Sequence, residues 1–126
     1  MKAILINAKN QTVSTVTLPD DDCARADAIR AHLGCLMFDI VRLATGNDAV
    51  LVDDEGLLGD LHAQSFFILK GYPSPLAGNG LVMGADDEGE SCDPVISESA
   101  VRDMVRFIPT AHEAARAVTV ALRDDL

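Results

Sequence analysis

The chain has no tryptophan, and aromatic residues make up only 4% of it, so its core has to be assembled from Leu, Val, Ile and Ala. Basic residues are scarce as well: 10 Lys and Arg stand against 20 Asp and Glu, a formal charge of −10. Such a field repels phosphate backbones and anionic lipid, which argues against direct nucleic-acid binding and against membrane attachment. It attracts a basic partner instead, including the DNA-binding face of another protein. Cysteine is sparse and unpatterned. Cys23, Cys35 and Cys92 form an odd set without C-x-x-C spacing, which indicates neither a disulfide framework nor a zinc site and suits reduced thiols in a cytosol. No apolar run reaches the roughly 18 residues that a membrane span needs, and the apolar part of "MKAILINAKNQTV" is too short for a signal peptide.

What remains suits one α+β domain. At 126 residues, 48% of them hydrophobic, the chain can bury a core without help from a disulfide or a metal. The β-branched stretches around "AKNQ" predict a hairpin with strands near 2–7 and 11–18, stopped by Pro19. A short helix follows, with an Asp cap, apolar Ala24, Ala28, Ile29 and Leu33 at helical spacing, and Gly34 as its stop. "CLMFDIVRLA" and "AVLVDDEG" predict a second hairpin with Thr45 to Asp48 at the tip. "LLGDLHAQSFFILKG" does not decide between helix and strand, and a strand over Leu81 to Ala85 follows the Pro73 and Pro75 segment. Towards the end, Ser97 or Ser99 caps a helix whose face is Ala100, Val101, Met104, Val105 and Ile108. A last helix, capped by Thr110, carries Ala114, Ala117, Val118, Ala121 and Leu122. The expected architecture is a mixed or mainly antiparallel sheet of about five or six strands, with the early helix and the two C-terminal helices on one face.

The most conspicuous motif is "DDEG", present at Asp53, Asp54, Glu55 and Gly56 and again at Asp86, Asp87, Glu88 and Gly89, each time after an apolar run. The flanks of the two copies do not align, so turn chemistry explains them better than duplication: Asp bonds its own backbone and Gly supplies positive φ. Neither copy is a helix-loop-helix calcium loop, because the sixth position is Leu58 or Ser91 where Gly is required. A looser cation site would need the strands to bring both turns side by side. Cys92 or Ser91, with His32, His62 or His112 as base, supplies the ingredients of nucleophilic catalysis but no ordering motif, and the acids around Cys92 raise its pKa. His32 and Cys35 lack a second metal pair. "GNG" precedes a strand rather than a helix, so Gly78, Gly80 and Gly84 are expected at structural turns, as are Gly56 and Gly89, and not at a phosphate cradle.

The segments "DIVRLATGNDAVLVDDEGLL" and "FFILKGYPSPLAGNGLVMGADDEGE" together resemble the small phage- and plasmid-associated family DUF3846. The carrying residues are Val52, Glu55, Gly56 and Leu58 in a V-x-x-E-G-x-L strand end, then Pro75, Leu76, Gly78, Leu81, Val82 and Gly84 in P-L-x-G-x-x-L-V-x-G. The likeness spans about residues 1 to 93; where the family often has Asn and Pro after the first unit, this chain reads "GDLHAQ". It implies an α+β protein of a mobile element or bacterial cytoplasm and brings no catalytic residues. The resulting expectation is a non-enzymatic interaction module, without a cofactor, whose Asp53, Asp54, Glu55, Asp86, Asp87, Glu88 and Glu90 face a basic partner. The competing expectation is a small-ligand or divalent-cation site, or an enzyme, near the glycine turns 78 to 84. Homo-oligomerisation through an exposed strand stays open.

Overall fold

In the computed structural model, which describes residues 1–43, 46–53 and 65–108, the chain opens with β1 (Lys2–Asn7) and β2 (Thr12–Thr17), an antiparallel hairpin in register Asn7↔Thr12. Helix α1 (Asp22–Leu33) follows. The Asp21 side chain accepts from the Ala24 N–H at its start, and Gly34 ends it at φ +66°. The second hairpin is β3 (Phe38–Arg42) with β4 (Ala49–Asp53), and β7 (Gly80–Ala85) inserts between β4 and β1. With the two-residue β8 (Ser91–Cys92) paired to the end of β7, these strands form a six-stranded sheet in the order β2-β1-β7-β4-β3. All of its pairings are antiparallel.

A second sheet, which the sequence does not predict, holds β5 (Phe66–Leu69) between β6 (Leu76–Ala77) and β9 (Val105–Ile108). The ambiguous "SFFIL" run is therefore a strand. The expected helix over 98 to 108 is cut short: α2 (Glu98–Met104), capped by the Ser97 side chain, gives way at Val105 to strand β9. β-Branched and aromatic Val105, Phe107 and Ile108 pair with Leu69, Phe67 and Phe66, and that long-range ladder overrides the local helical spacing. The expected helix beyond Thr110 lies outside the described residues.

Strand alternation divides the core in two. On one face of the main sheet Ala3, Leu51, Leu81 and Met83 pack under Ile29 and Leu33 of α1. On the other, Ile4, Ile6, Val13, Val41, Val50, Val52 and Val82 pack against Phe67, Leu69 and Leu76 of the second sheet and Val101 of α2. The early helix and the later one thus cover opposite faces, not one face as the sequence suggested. Both sides of β1, β4 and β7 are apolar, and such strands need a cover on each side.

Two glycines expected at turns sit inside β7. At Gly80 a Cβ would lie 2.8 Å from Cζ of Phe67 and 3.0 Å from Cγ1 of Val50, so the missing side chain is the socket for the Phe67 ring. At Gly84 it would lie 2.6 Å from the Asp93 carbonyl oxygen, where the chain after β8 crosses the strand. Both glycines serve close packing, and only Gly78 and Gly89 of the described turn candidates have positive φ, +77° and +82°.

Candidate functional site

The second DDEG is the β7–β8 hairpin turn. The Gly89 N–H donates to the Asp86 carbonyl (3.0 Å), the Asp86 N–H donates to that of Glu90 (2.9 Å), and one Asp86 carboxylate oxygen accepts from the N–H groups of Glu88 and Glu90, both at 2.9 Å. Asp86 is thereby occupied with its own backbone. Asp87, Glu88 and Glu90 are exposed, and their carboxylates project into water.

Of the first DDEG, Asp53 is the last residue of β4, while Asp54, Glu55 and Gly56 lie outside the described residues. Strands β4 and β7 are neighbours, but antiparallel, with Val52 opposite Gly80 and Ala49 opposite Met83. Asp53 consequently leaves the sheet at one end and Asp86 at the other, about 20 Å away at ~3.3 Å per residue. That separation rules out one cation held by both Asp53 and Asp86.

The acids that do join the second DDEG come from the stretch between β2 and α1, which carries no DDEG. β2 ends beside Lys2, so the following Asp20, Asp21 and Asp22 emerge at the same end of the sheet as β8. There the N-terminal ammonium meets Asp20 at 3.0 Å, and the Asp93 carboxylate accepts from the Lys2 N–H at 2.7 Å. Asp22 pairs with Arg25. Asp20, Asp21, Asp22, Asp86, Asp87, Glu88, Glu90 and Asp93 are all exposed, and together they make one end of the molecule acidic.

Behind this surface is one buried carboxylate. Asp48, only 3% exposed, accepts from the N–H groups of Val95 (3.0 Å) and Ile96 (2.8 Å), and its carbonyl accepts from the Leu43 N–H. It ties the β3–β4 turn to the segment after β8. In the sequence it looked like one more polar residue at a hairpin tip.

Helix α1 leaves part of its sheet face uncovered. Between it and β3, β4 and β7 runs a groove of about 380 Å³, floored by Leu51 and Met83, walled by Phe38, Ile40 and Arg42, and reaching Gly89 and Ser91 at the acidic end.

Among the described residues the catalytic ingredients are not brought together. Burial, and then the charges of Asp86, Asp48 and Asp93, push the Cys92 thiol above its ordinary pKa, the opposite of what a thiolate nucleophile requires. Cys92 pairs with Gly84, whereas the His32 carbonyl accepts from the Asn79 side chain at the other end of β7, roughly 17 Å away at ~3.3 Å per residue. His62 and His112 lie outside the described residues. Burial, reinforced by Asp53, likewise raises the Cys35 thiol. Among the described residues no three His, Cys, Asp or Glu side chains are grouped to hold a metal ion. No helix among them is long and apolar enough to cross a membrane.

No curated protein and no solved structure matches the chain. Val52, which with the Pro75 to Gly84 segment carried the sequence likeness, lies near the end of β4, and that segment spans β6 and most of β7; β4 and β7 are inner strands of the main sheet. The profile of the family described as a domain of unknown function, DUF3846, matches residues 1–105, past β8 and through α2, and the chain belongs to that family.

Proposed function

We propose that this chain is a non-enzymatic interaction module that engages a basic protein partner through the acidic end of its main sheet. One observation carries the reading: antiparallel pairing and the β2–α1 link bring Asp20 to Asp22, Asp86 to Glu90 and Asp93 to the same end. Carboxylates gathered at one end of a sheet add their fields on an approaching cation, which speeds encounter and selects for positive charge. The first DDEG has no part in this surface as far as Asp53 is concerned. A cytoplasmic setting in a phage, plasmid or bacterial host suits the reduced cysteines and belongs to the same proposal.

The alternative, a small-ligand or cation site around Gly78 to Gly84, has less in its favour, because Phe67 and the Asp93 carbonyl already occupy the space beside Gly80 and Gly84. The test compares two charge-matched variants in capture from host extract at low and moderate salt. Glu88→Gln with Glu90→Gln removes two carboxylates that hold nothing in place; Asp27→Asn with Asp103→Asn removes two elsewhere. Loss of a basic partner with the first pair and with salt, but not with the second pair, supports the reading. Equal capture by both variants refutes it.

A further inference from the structure

The two edges of the main sheet are finished differently. At β2, the Thr15 N–H and hydroxyl donate to Glu98 of α2, and the Val13 carbonyl accepts from Arg102, so the strand is covered by polar contacts. Edge β3 has no such cover among the described residues. Leu43 donates to the Asp48 carbonyl across the hairpin, so by alternation Phe38, Ile40 and Arg42 turn their N–H and C=O groups away from β4. The Ile40 N–H is instead taken by the carboxylate of its own neighbour Asp39, at 2.8 Å. Around it Leu36, Met37 and Ile40 are 87%, 62% and 55% exposed. Residues 35–43 include neither Pro nor Lys, two residues that often keep an edge from pairing, and their charges are one Asp and one Arg.

We propose that β3 is a dimerisation strand, on which two copies of this chain pair antiparallel about a two-fold axis at Ile40. In that register Ile40 faces Ile40 of the second copy and Phe38 faces its Arg42, on the same side of the joined sheet. Once the Asp39 carboxylate gives up the Ile40 N–H, the three outward-turned residues form about six backbone hydrogen bonds across the axis. What singles out a second copy is that the strand complements itself. Arg42 has no ionic partner among the described residues, unlike Arg25, Arg30 and Arg102, and the pairing sets it against an aromatic ring that already takes a cation, Arg30 lying 6.0 Å from the Phe38 centroid. Residues 35–43 contain one Asp and one Arg and are neutral overall, so two chains of charge −10 can meet here with little repulsion. A two-fold contact of one patch with itself closes at the dimer. It also sets the two grooves beside Ile40 and Arg42 facing each other across the axis. The acidic end plays no part in this contact.

Sedimentation velocity and light scattering on the full chain, from about 1 to 500 μM, test the proposal. The expected result is a monomer–dimer equilibrium whose dissociation constant rises at least tenfold in Ile40→Lys, with circular dichroism unchanged. A second variant covers the case in which Ile40→Lys misfolds. With Cys23, Cys35 and Cys92 replaced by Ser, Ile40→Cys should form an interchain disulfide on mild oxidation, since hydrogen-bonded partners sit about 5.5 Å apart at Cα, while Lys9→Cys should not. A monomer at every concentration, a dimer indifferent to Ile40→Lys, an open-ended oligomer, or equal cross-linking at positions 9 and 40 would overturn it.

Discussion

Adding one methyl group at Gly80 tests how the two sheets are held together. Its Cβ would stand 2.8 Å from Cζ of Phe67 and 3.0 Å from Cγ1 of Val50, against the 3.5 to 4.0 Å or so at which carbon atoms rest. Neither neighbour can step aside, because Phe67 and Val50 are both 0% exposed and wedged between the sheets. Gly80 has no positive φ, so the penalty of Gly80→Ala is steric and falls in the overpacking range, about 1 to 3 kcal/mol. For a chain of this length that lowers Tm by roughly 3 to 15 °C. Urea unfolding is the assay, read as a lower midpoint with an unchanged m value. Phe67→Leu alone also destabilises, by about 1 to 2 kcal/mol, through the space it leaves. In the double variant the new methyl fills part of that space, so the two losses should fall short of additivity by about 1 kcal/mol. Strict additivity, or Gly80→Ala within ~0.3 kcal/mol of wild type, would refute the socket.

Asp48→Ala leaves the Val95 and Ile96 N–H groups without their acceptor and should cost about 3 to 5 kcal/mol, with Asp48→Asn losing roughly half of that; an Asn variant as stable as wild type in urea would contradict the clamp. Glu98 is held below the ordinary Glu range by hydrogen bonds from the Arg102 guanidinium first and then from the Thr15 hydroxyl and N–H. A depressed folded pKa contributes stability that is fully present above the unfolded pKa and is lost as pH falls through the folded one. Wild type should therefore exceed Glu98→Gln in thermal stability at neutral pH and converge with it in acid, and a gap that widens in acid would reverse the assignment.

Local features of the fold were legible because their partners are close in sequence. Asp21 and Gly34 bracket α1, and the two hairpins β1–β2 and β3–β4 carry their alternation and their turns within one short stretch. Distant partners were not legible. Nothing within "VRFI" says that Phe66 and Phe67 will lie beside it, so helical spacing from Ala100 to Met104 extended too far. The glycines of β7 read as turn residues because the ring and the carbonyl that occupy their space come from Phe67 and Asp93. The acidic end was half visible: Asp86 to Glu90 stood out as a motif, but its spatial companions Asp20 to Asp22 are joined to it only by sheet register. That same register separates Asp53 from Asp86, which the repeated letters had suggested as companions.

Strand β1, near the N-terminus, is an inner strand of the main sheet, between β2 and β7. During synthesis β2 follows it at once, but Gly80, the partner of Ile6, is made about 70 residues later, some 4 to 15 s at ~5 to 20 residues per second. Through that interval the β1–β2 hairpin has an open inner edge and two apolar faces, and β3–β4 waits in the same condition. The sheet closes only when β7 enters as the keystone between two finished hairpins. The nascent chain is thus most in need of a chaperone until β7 has emerged, and fragments ending short of residue 80 should be protease-sensitive where the full chain is not.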